Sequence, residues 1–566
     1  MTSQDIIDRV RENLDGALVA SEEPAPGVLH LTVKRASVVE ACRHLQDSLG
    51  ARFLISAGID RRPGEGCLSV THIFSRDEDQ QFICVRADMS GDSAEIESIT
   101  PWVNGANWSE RECQDLLGIK AKGHPDPRRL VVADDWPEGV YPLRKDVPHD
   151  AKPEPAQGGE MTFKQAPEGT STVVIGPFYP VLEEPCQIRL FVDGERVVDC
   201  DYRGFYNHRG IEKLGDSVLT YNQIPFVAER ICGICGFIHS TCYCEAAEQA
   251  AGVEAPRRAK YIRSIMLEIE RIHSHLLWLG IAGHILGFDT VLMQTWRIRE
   301  PIMWLCEQIT GNRKTYGMNL VGGVRWDIPV DVYPKVLDVI GKIEAETKAV
   351  ADAIQGDTTL LVRLQGVGRL SEEDARRLCV VGPTARGSNL CIDARVDHPY
   401  SAYDELSTNV VTYDGCDNLA RVLVRIGEVF EAVRLIREGL KQMPDGPIIV
   451  DFAEEIPAGR HGICTVEAPR GEAIHYLITG ENNRPDRWRV RAPTYQNLQA
   501  LPVMIQGETI ADVPITLGSM DPCFSCTERV ETVDVRTGQQ RVLTKDDLAR
   551  LSQERKERLS AGRSAP

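Results

Sequence analysis

Apolar positions in the first quarter of the chain follow two periods, one helical and one extended. Between Val38 and Leu49 apolar residues recur every three or four positions, which predicts a helix. Short apolar runs bounded by polar turns predict strands. Together these patterns predict an α/β unit in residues 1–146, with helices over 3–14 and 37–49 and strands over 28–33, 67–74 and 81–87.

The remainder of the chain has a different pattern. Residues 147–169 are polar and rich in proline and glycine, which indicates a linker. The pattern then predicts a second, mainly helical domain over 170–529 with small sheets near both ends, so that the whole chain is a multidomain α+β protein. Its predicted strands cover 172–176, 187–192, 196–200, 447–452, 461–467 and 472–478, and its predicted helices 262–276, 290–308, 329–355 and 415–441. A polar extension, 530–566, follows and begins strand-like before a charged helix over 545–559.

Length and charge narrow the class of protein. The 566 residues are too many for one hydrophobic core. A formal net charge of −19 argues against binding to nucleic acid or to an anionic membrane surface. No apolar run approaches the roughly 20 residues of a spanning helix, and the N-terminus lacks a secretory pattern. We therefore expect a cytoplasmic protein whose membrane association comes through partner subunits.

Four of the 17 cysteines form two C-x-x-C pairs, Cys232 with Cys235 and Cys523 with Cys526. Two such pairs make a four-thiolate site, which suits zinc, iron–sulfur or another thiophilic metal. Structural zinc is the default interpretation. However, the pairs lie almost three hundred residues apart and the first leads into a helical run, so a catalytic metal remains open. Most other cysteines stand alone and are interpreted as small buried hydrophobes.

The N-terminal unit contains a distinctive stretch. It reads Asn107-Trp-Ser-Glu-Arg-Glu-Cys-Gln-Asp-Leu-Leu-Gly-Ile119, followed by Gly123-His-Pro-Asp-Pro-Arg-Arg129. Physically this is a helix ended by a glycine and a loop carrying two arginines, which names no chemistry. It resembles the signature of the 30-kilodalton subunit of respiratory complex I, a family in which this domain is a structural docking module without a cofactor.

The cysteine pairs carry a second resemblance. Arg230-Ile-Cys-Gly-Ile-Cys-Gly-Phe-Ile-His239 and Asp521-Pro-Cys-Phe-Ser-Cys-Thr-Glu-Arg529 resemble the two metal motifs of nickel–iron hydrogenase large subunits. With the complex I-like N-terminal domain, they resemble the group 4, energy-converting hydrogenases of the formate hydrogenlyase type. The resemblance implies reversible conversion of hydrogen to protons and electrons at a nickel–iron centre whose iron carries cyanide and carbon monoxide.

Roles for the four cysteines follow from that resemblance. It makes Cys232 and Cys523 terminal nickel ligands and Cys235 and Cys526 bridges to iron. Of the two terminal thiolates, we expect Cys523 to be the base.

The resemblance also assigns roles to residues around the centre. Glu184, with Glu183 as the alternative, takes the place of the glutamate that receives the proton, and Arg470 that of an arginine above the open metal position. Glu212 matches a magnesium-binding glutamate; the histidine that joins this site elsewhere is here Arg529, whose guanidinium cannot ligate a cation.

Three further residues are expected to support the centre. His239 is expected to hydrogen-bond a diatomic ligand or a neighbour, and a buried structural histidine is the alternative. Asp393 and Arg395 are expected to form a supporting ion pair near the site.

Partners are implied in the same way. Because the chain has no further cysteine cluster for electron relay, an iron–sulfur small subunit is implied, and no flavin or nucleotide is expected. The resemblance adds antiporter-like membrane subunits at the inner face of the membrane, and formate dehydrogenase, carbon monoxide dehydrogenase or ferredoxin as the electron partner. It also implies a nickel-dependent endopeptidase that cuts between Arg529 and Val530.

Two other functions remain as alternatives. A metal-free, quinone-reducing complex I subunit of the fused C/D type shares the architecture. Such subunits lack both cysteine pairs, and their quinone-pocket loop has histidines where this chain reads Gly176-Pro-Phe-Tyr-Pro180. A scaffold with a structural zinc site is the third interpretation.

Overall fold

The computed structural model describes most of the chain. Its described residues are 1–14, 16–90, 94–156, 162–176, 186–205, 208–450 and 455–523, together with the strand pair Thr532–Val533 and Gln540–Arg541. They form a mixed α+β protein in which an N-terminal sheet domain precedes a mainly helical part with small sheets, so the predicted fold class is confirmed. The predicted helix over 545–559 lies outside these residues, and the predicted domain boundaries stay predictions.

A five-stranded sheet forms the centre of the N-terminal part. The strands are β1 Leu18–Ala25, β2 Val28–Val33, β3 Arg52–Asp60, β4 Cys67–Arg76 and β5 Gln81–Ser90, in the order β1-β2-β5-β4-β3. Neighbouring strands are antiparallel except β2 and β5. A parallel pair, β6 Glu95–Glu97 and β7 Lys120–Lys122, and the helices α1 Ser3–Asn13, α2 Val38–Asp47, α3 Arg62–Glu65 and α4 Asn107–Leu117 complete the domain. The predicted strands and helices are confirmed here, whereas β1, β3, β6, β7 and the short helix α3 were not predicted.

Both faces of this sheet are largely buried over β2, β3, β4 and β5, whereas the edge strand β1 has no buried residue. One face packs on the apolar stripes of α1 and α2, which include Ile6, Val10 and Leu45. The other face packs on two strands of the helical part, because Leu54 and Ile73 share a core with Ile474 and Tyr476. The N-terminal domain is therefore joined to the rest of the chain through a continuous apolar interface.

Long helices dominate the second part of the chain. After a small antiparallel sheet, in which the strand Gln187–Asp193 lies between Ser171–Ile175 and Arg196–Arg203, four long helices pack against one another, and most residues of the longest, Arg257–Ile285, are buried. The strands and helices up to this bundle's end are β8 Ser171–Ile175, β9 Gln187–Asp193, β10 Arg196–Arg203, α5 Ile211–Ser217, α6 Ile224–Ala228, α7 Gly236–Ala251, α8 Arg257–Ile285, α9 Asp289–Thr310, β11 Asn319–Leu320, β12 Gly323–Val324, α10 Tyr333–Gly356, α11 Thr358–Leu364, α12 Glu372–Arg377, α13 Pro383–Arg386, α14 Ala394–Asp397 and α15 Asn418–Gln442.

A second antiparallel sheet closes the fold. Its three strands are paired in chain order, and short helices follow it before the second cysteine motif. These elements are β13 His461–Ala468, β14 Gly471–Thr479, β15 Pro485–Arg491, α16 Pro493–Asn497, α17 Leu501–Ile505, α18 Val513–Ser519, β16 Thr532–Val533 and β17 Gln540–Arg541.

The prediction of a strand over 447–452 is not confirmed. In its described part, up to Val450, the backbone makes only an isolated bridge between Ile449 and Gly323. The run is apolar, but no neighbouring strand extends far enough along it to form a ladder. Among the described helices, none is long and apolar enough to cross a membrane.

Candidate metal centre

Three cysteine sulfurs from the two distant motifs meet in the core. The Sγ of Cys232 lies 3.0 Å from the Sγ of Cys235 and 3.1 Å from the Sγ of Cys523. All three side chains are buried. The spacing of the two motifs thus brings together a set of soft donors from positions 291 residues apart. Cys526, the fourth predicted ligand, lies outside the described residues.

The first motif is shaped by the start of α7. This helix begins at Gly236, directly after Cys235, and the backbone amides of Ile234 and Cys235 donate to the Sγ of Cys232 at 3.4 and 3.3 Å. Both amides precede the helix, and their hydrogen bonds fix the Cys232 sulfur next to Cys235. Gly236 allows the close packing, because a Cβ there would lie 2.5 Å from the Glu229 carbonyl oxygen.

Packed thiolates in a dry site require positive charge. The hydrogen bond to Cys232 and then burial raise the pKa of Cys235 well above its usual value, and the Cys523 sulfur adds to the effect. Several ionised sulfurs are therefore unstable together unless a cation binds them. Their softness and number suit a thiophilic metal, so the residues present fit the centre that the motifs imply.

Arg470 supplies a fixed positive charge beside the cysteines. Its guanidinium donates from Nη2 to the Asp521 carboxylate and from Nε to the Asp521 carbonyl oxygen, both at 2.7 Å, and from Nη1 to Ser274 Oγ at 3.1 Å. Burial alone would lower its pKa, but Asp521 and then the cysteine sulfurs hold that pKa well above its usual value. The side chain is therefore a permanent cation within the field of the site.

Close backbone approaches fix the loop that carries Arg470. Gly471 has φ 125° and its hypothetical Cβ would lie 2.7 Å from the Gly382 amide nitrogen. At Gly382, a Cβ would lie 2.5 Å from the Arg470 carbonyl oxygen. Only glycine fits both positions, which places the arginine on a tightly packed turn.

His239 lies one helical turn after Cys235 and is fully buried. Its Nδ1 is 3.1 Å from the Nε2 of His475, and its own Nε2 has no hydrogen-bond partner in the described part of the chain. Burial lowers the pKa of His239 to about 4, so the ring is neutral near pH 7. This histidine therefore has one satisfied nitrogen and one unsatisfied nitrogen.

Glu212 lies between two arginines. Arg487 and Arg489 approach its carboxylate to 2.8 and 3.0 Å, and the Val490 amide donates to it at 2.9 Å. Burial raises its pKa, but the two arginines outweigh burial and lower the pKa to about 2. Both carboxylate oxygens are thus engaged by arginines of β15.

Three other predicted site residues, Glu183, Glu184 and Arg529, lie outside the described residues.

Asp393 and Arg395 form a buried ion pair at 2.6 Å, and Arg395 also contacts Glu268 at 3.0 Å.

Cys242 and Cys244, interpreted as core residues, are both buried. The Sγ of Cys242 donates to the Cys464 carbonyl oxygen at 3.1 Å.

Sequence reasoning missed Ser274, His475 and the arginines of β15. They are single residues on helices and strands with no diagnostic spacing. The one available signal was the alternation of charged and apolar residues over Arg487–Arg491.

Comparison with known proteins places these features in a family. Residues 31–153 match the family described as respiratory-chain NADH dehydrogenase, 30 Kd subunit, and residues 286–465 and 452–529 match its 49 Kd subunit. Residues 209–286, which contain the first cysteine pair, match nickel-dependent hydrogenase. Two complex I-type regions thus flank a hydrogenase-type motif.

Comparison with individual proteins agrees with these family matches. The chain is 41% identical over 555 residues to formate hydrogenlyase subunit 5 of Escherichia coli, covering 95% of this chain and 97% of the relative. It is 39% identical over 550 residues to hydrogenase-4 component G of the same organism, covering 96% of each. A solved archaeal membrane-bound sulfane sulfur reductase aligns with a TM-score of 0.61 and 29% identity, over 64% of this chain and 100% of that chain.

The fold and the buried cysteines therefore define a large subunit of the nickel–iron hydrogenase and complex I type. Within that class, the chain belongs to the catalytic subunits of the group 4, energy-converting nickel–iron hydrogenases, and it is a hydrogenase. The resemblance in sequence is thereby confirmed. The C/D-type subunit of NADH-quinone oxidoreductase, the leading alternative, is a more distant relative at 31% identity over 482 residues.

Proposed function

We propose that Cys232, Cys235, Cys523 and Cys526 hold a nickel–iron centre at which this chain interconverts hydrogen with protons and electrons. The convergence of three buried sulfurs within 3.0 and 3.1 Å is the observation that carries the proposal. Cys232 and Cys523 would hold the nickel, and Cys235 and Cys526 would hold it together with an iron that carries cyanide and carbon monoxide. When bound, this centre supplies Lewis-acid activation of hydrogen.

The chain's own residues handle the proton. The Cys523 sulfur would accept it, because a thiolate that holds the centre is also a base. Glu184 then receives the proton, with Glu183 as the alternative. Arg470, held by Asp521 and Ser274, keeps a planar cationic donor group fixed beside the sulfurs.

Magnesium at Glu212 belongs to the proposal in a restricted form. The carboxylate is already engaged by Arg487 and Arg489, so a cation there would compete with two ion pairs. We infer that these arginines supply the positive charge near the centre unless magnesium displaces one of them. Metal analysis distinguishes the two cases.

The partners follow from the electron balance. Two electrons leave for each hydrogen oxidised, and we propose an iron–sulfur small subunit as their first acceptor. Antiporter-like membrane subunits would hold the assembly at the inner face of the membrane. Formate dehydrogenase, carbon monoxide dehydrogenase or ferredoxin would exchange electrons with it. A nickel-dependent endopeptidase would remove residues 530–566 by cutting between Arg529 and Val530.

Metal analysis of the purified complex tests the proposal. About one nickel per chain is expected, and it should be lost in Cys232→Ser and Cys523→Ser. Cys244→Ala is the matched control, because Cys244 is buried on α7 but lies outside the sulfur cluster. Zinc in place of nickel, or equal nickel loss in the control, would overturn the proposal. Intact mass of the same sample tests the cleavage, which a subunit retaining Pro566 would exclude.

A further inference from the structure

Three buried side chains form a hydrogen-bonded row that ends at His239. The Nε1 of Trp488 lies 3.1 Å from the Nδ1 of His475, and the Nε2 of His475 lies 3.1 Å from the Nδ1 of His239. All three side chains are fully buried. The row runs from β15 through β14 to α7, one helical turn beyond the ligand position Cys235.

The indole of Trp488 determines which ring nitrogens carry a proton in both histidines of the row. An indole nitrogen can only donate, so the Nδ1 of His475 accepts. Burial lowers the pKa of His475 well below its usual value, which makes this ring neutral with its proton on Nε2. That proton is donated to the Nδ1 of His239, and the neutral His239 ring then carries its own proton on Nε2.

The Nε2–H of His239 is therefore a buried donor without a partner in the described part of the chain. Such a group is costly to leave unpaired and is retained where something else accepts from it. Because His239 follows Cys235 by four residues on α7, the two lie on the same side of the helix start. Cys232 acts electrostatically on His239, so the electron-rich group that the proposed function puts on that side is the metal centre with its sulfur and diatomic ligands.

We propose that Trp488 and His475 are positioning residues, which hold His239 in the tautomer that donates its Nε2–H to the metal centre or its ligands. This inference rests on the proposed nickel–iron centre. Both act through His239, to which His475 is hydrogen-bonded directly and Trp488 by way of His475.

The position of Trp488 is in turn set by the N-terminal domain. On the alternate face of β15, Arg487, Arg489 and Arg491 each donate from Nε to carbonyl oxygens of β3, those of Gly58, Ser56 and Leu54, at 3.0, 3.3 and 3.2 Å. Successive residues of a strand face opposite sides. The arginines on one face of β15 are therefore hydrogen-bonded to the N-terminal sheet, and Trp488 on the opposite face begins the row.

Infrared spectra of the carbon monoxide and cyanide stretches test this inference on the purified complex. Trp488→Phe removes the donor but keeps an aromatic ring, and His475→Leu removes the second step. Both are expected to load nickel and to shift the stretching bands beyond the wild-type linewidth. His475→Gln keeps an amide donor at the Nε2 position and should restore the wild-type bands.

Tyr243→Phe is the matched control, because Tyr243 packs edge-on against Trp488 and its hydroxyl takes no part in the row. Unshifted bands in His475→Leu, or the same shift in His475→Gln, would overturn the inference. Failure of Trp488→Phe and both His475 variants to load nickel would also overturn it, since positioning is not needed for loading. A wild-type complex without nickel and without these bands would instead contradict the proposed function.

Discussion

Arg489 of β15 and Glu112 of α4 form a two-bonded ion pair across the domain boundary, with nitrogen–oxygen distances of 2.6 and 2.8 Å. Glu112 belongs to the complex I-like motif, and Arg489 also contacts Glu212. The N-terminal motif, which by itself names no chemistry, is thus linked through one guanidinium to a residue of the candidate site region. The linkage gives the N-terminal part of the chain a role in the geometry of the region around the cysteine cluster.

Removing one partner of this buried pair should be costly. Glu112→Gln leaves the Arg489 guanidinium with a weaker acceptor, and Glu112→Ala leaves it without that carboxylate. For the alanine variant we expect a loss of about 3–5 kcal/mol in the free energy of unfolding. The exposed pair Arg437–Glu344 is the control, and Glu344→Ala should cost under about 1 kcal/mol. Denaturant midpoints at pH 7 measure both, and equal losses would contradict the expectation.

The turn that carries Arg470 should not accept a side chain. Gly382→Ala introduces a Cβ that would lie 2.5 Å from the Arg470 carbonyl oxygen, at a position where the backbone has φ 66°. Backbone cannot move aside cheaply, so we expect a loss of at least roughly 2 kcal/mol in unfolding free energy. Gly341→Ala within α10, whose Cβ meets only an arginine tip at 3.9 Å, should be neutral or stabilising. A neutral Gly382→Ala would show that the turn is not tightly packed.

The sequence predicts local structure better than it predicts the interface between the two halves. Strands β2, β4 and β5 follow recognisable patterns, whereas β3 was missed. Almost all of β3 is buried, because a second domain covers its other face, so its sequence lacks the alternation that marks a half-exposed strand. That second burial comes from residues more than 400 positions away, such as Ile474.

The residues of the candidate site likewise divide into those with a local sequence signal and those without one. Spacing selects Cys232, Cys235, Cys523 and Cys526 as candidate ligands, because two cysteines three residues apart are a local signal. Arg489 could not be placed from sequence, since alternation on β15 suggests solvated arginines and their carboxylate partners at 112 and 212 are distant. Trp488 and His475 are also single residues whose relation exists only after β14 and β15 pair.

The buried carboxyl of Asp216, which lies beside Arg487 and Trp488 of β15, should make the stability of the fold depend on pH. Burial raises the pKa of Asp216 to about 7, even though Arg487 opposes the effect. The folded chain therefore binds a proton between about pH 4 and 7 that the unfolded chain has released, so stability falls as pH rises through that window. Asp216→Asn keeps an acceptor for the Trp488 amide, which donates at 2.7 Å, and should remove this dependence.

Urea denaturation at pH 5 and pH 8 tests this expectation. Relative to Asp216→Asn, the wild type should lose on the order of 3 kcal/mol between the two pH values. Asp338→Asn, in an exposed pair with Lys342, is the control and should track the wild type. Parallel pH curves for wild type and Asp216→Asn would contradict the raised pKa.

Arg470 should be needed for turnover but not for metal loading. Arg470→Lys keeps the positive charge but loses the planar fork that bonds Asp521 from two nitrogens and Ser274 from a third. If the fixed donors stabilise charge that develops at the centre, hydrogen oxidation should fall about 10²–10³-fold. Nickel per chain, measured on the same sample, should stay at the wild-type value, because no sulfur donor changes.

Arg230→Lys is the matched variant for this experiment. Arg230 lies two residues before Cys232, but its side chain is 55% exposed and pairs with Glu229 rather than with the site. Its activity should stay within about threefold of wild type, because the lysine keeps the charge beside Glu229 and no group of the cysteine cluster changes. Full activity in Arg470→Lys would show that charge alone suffices at this position. Loss of nickel along with activity would instead make Arg470 a structural support of the cysteine cluster, since a side chain that acts only during turnover is not needed to hold the metal.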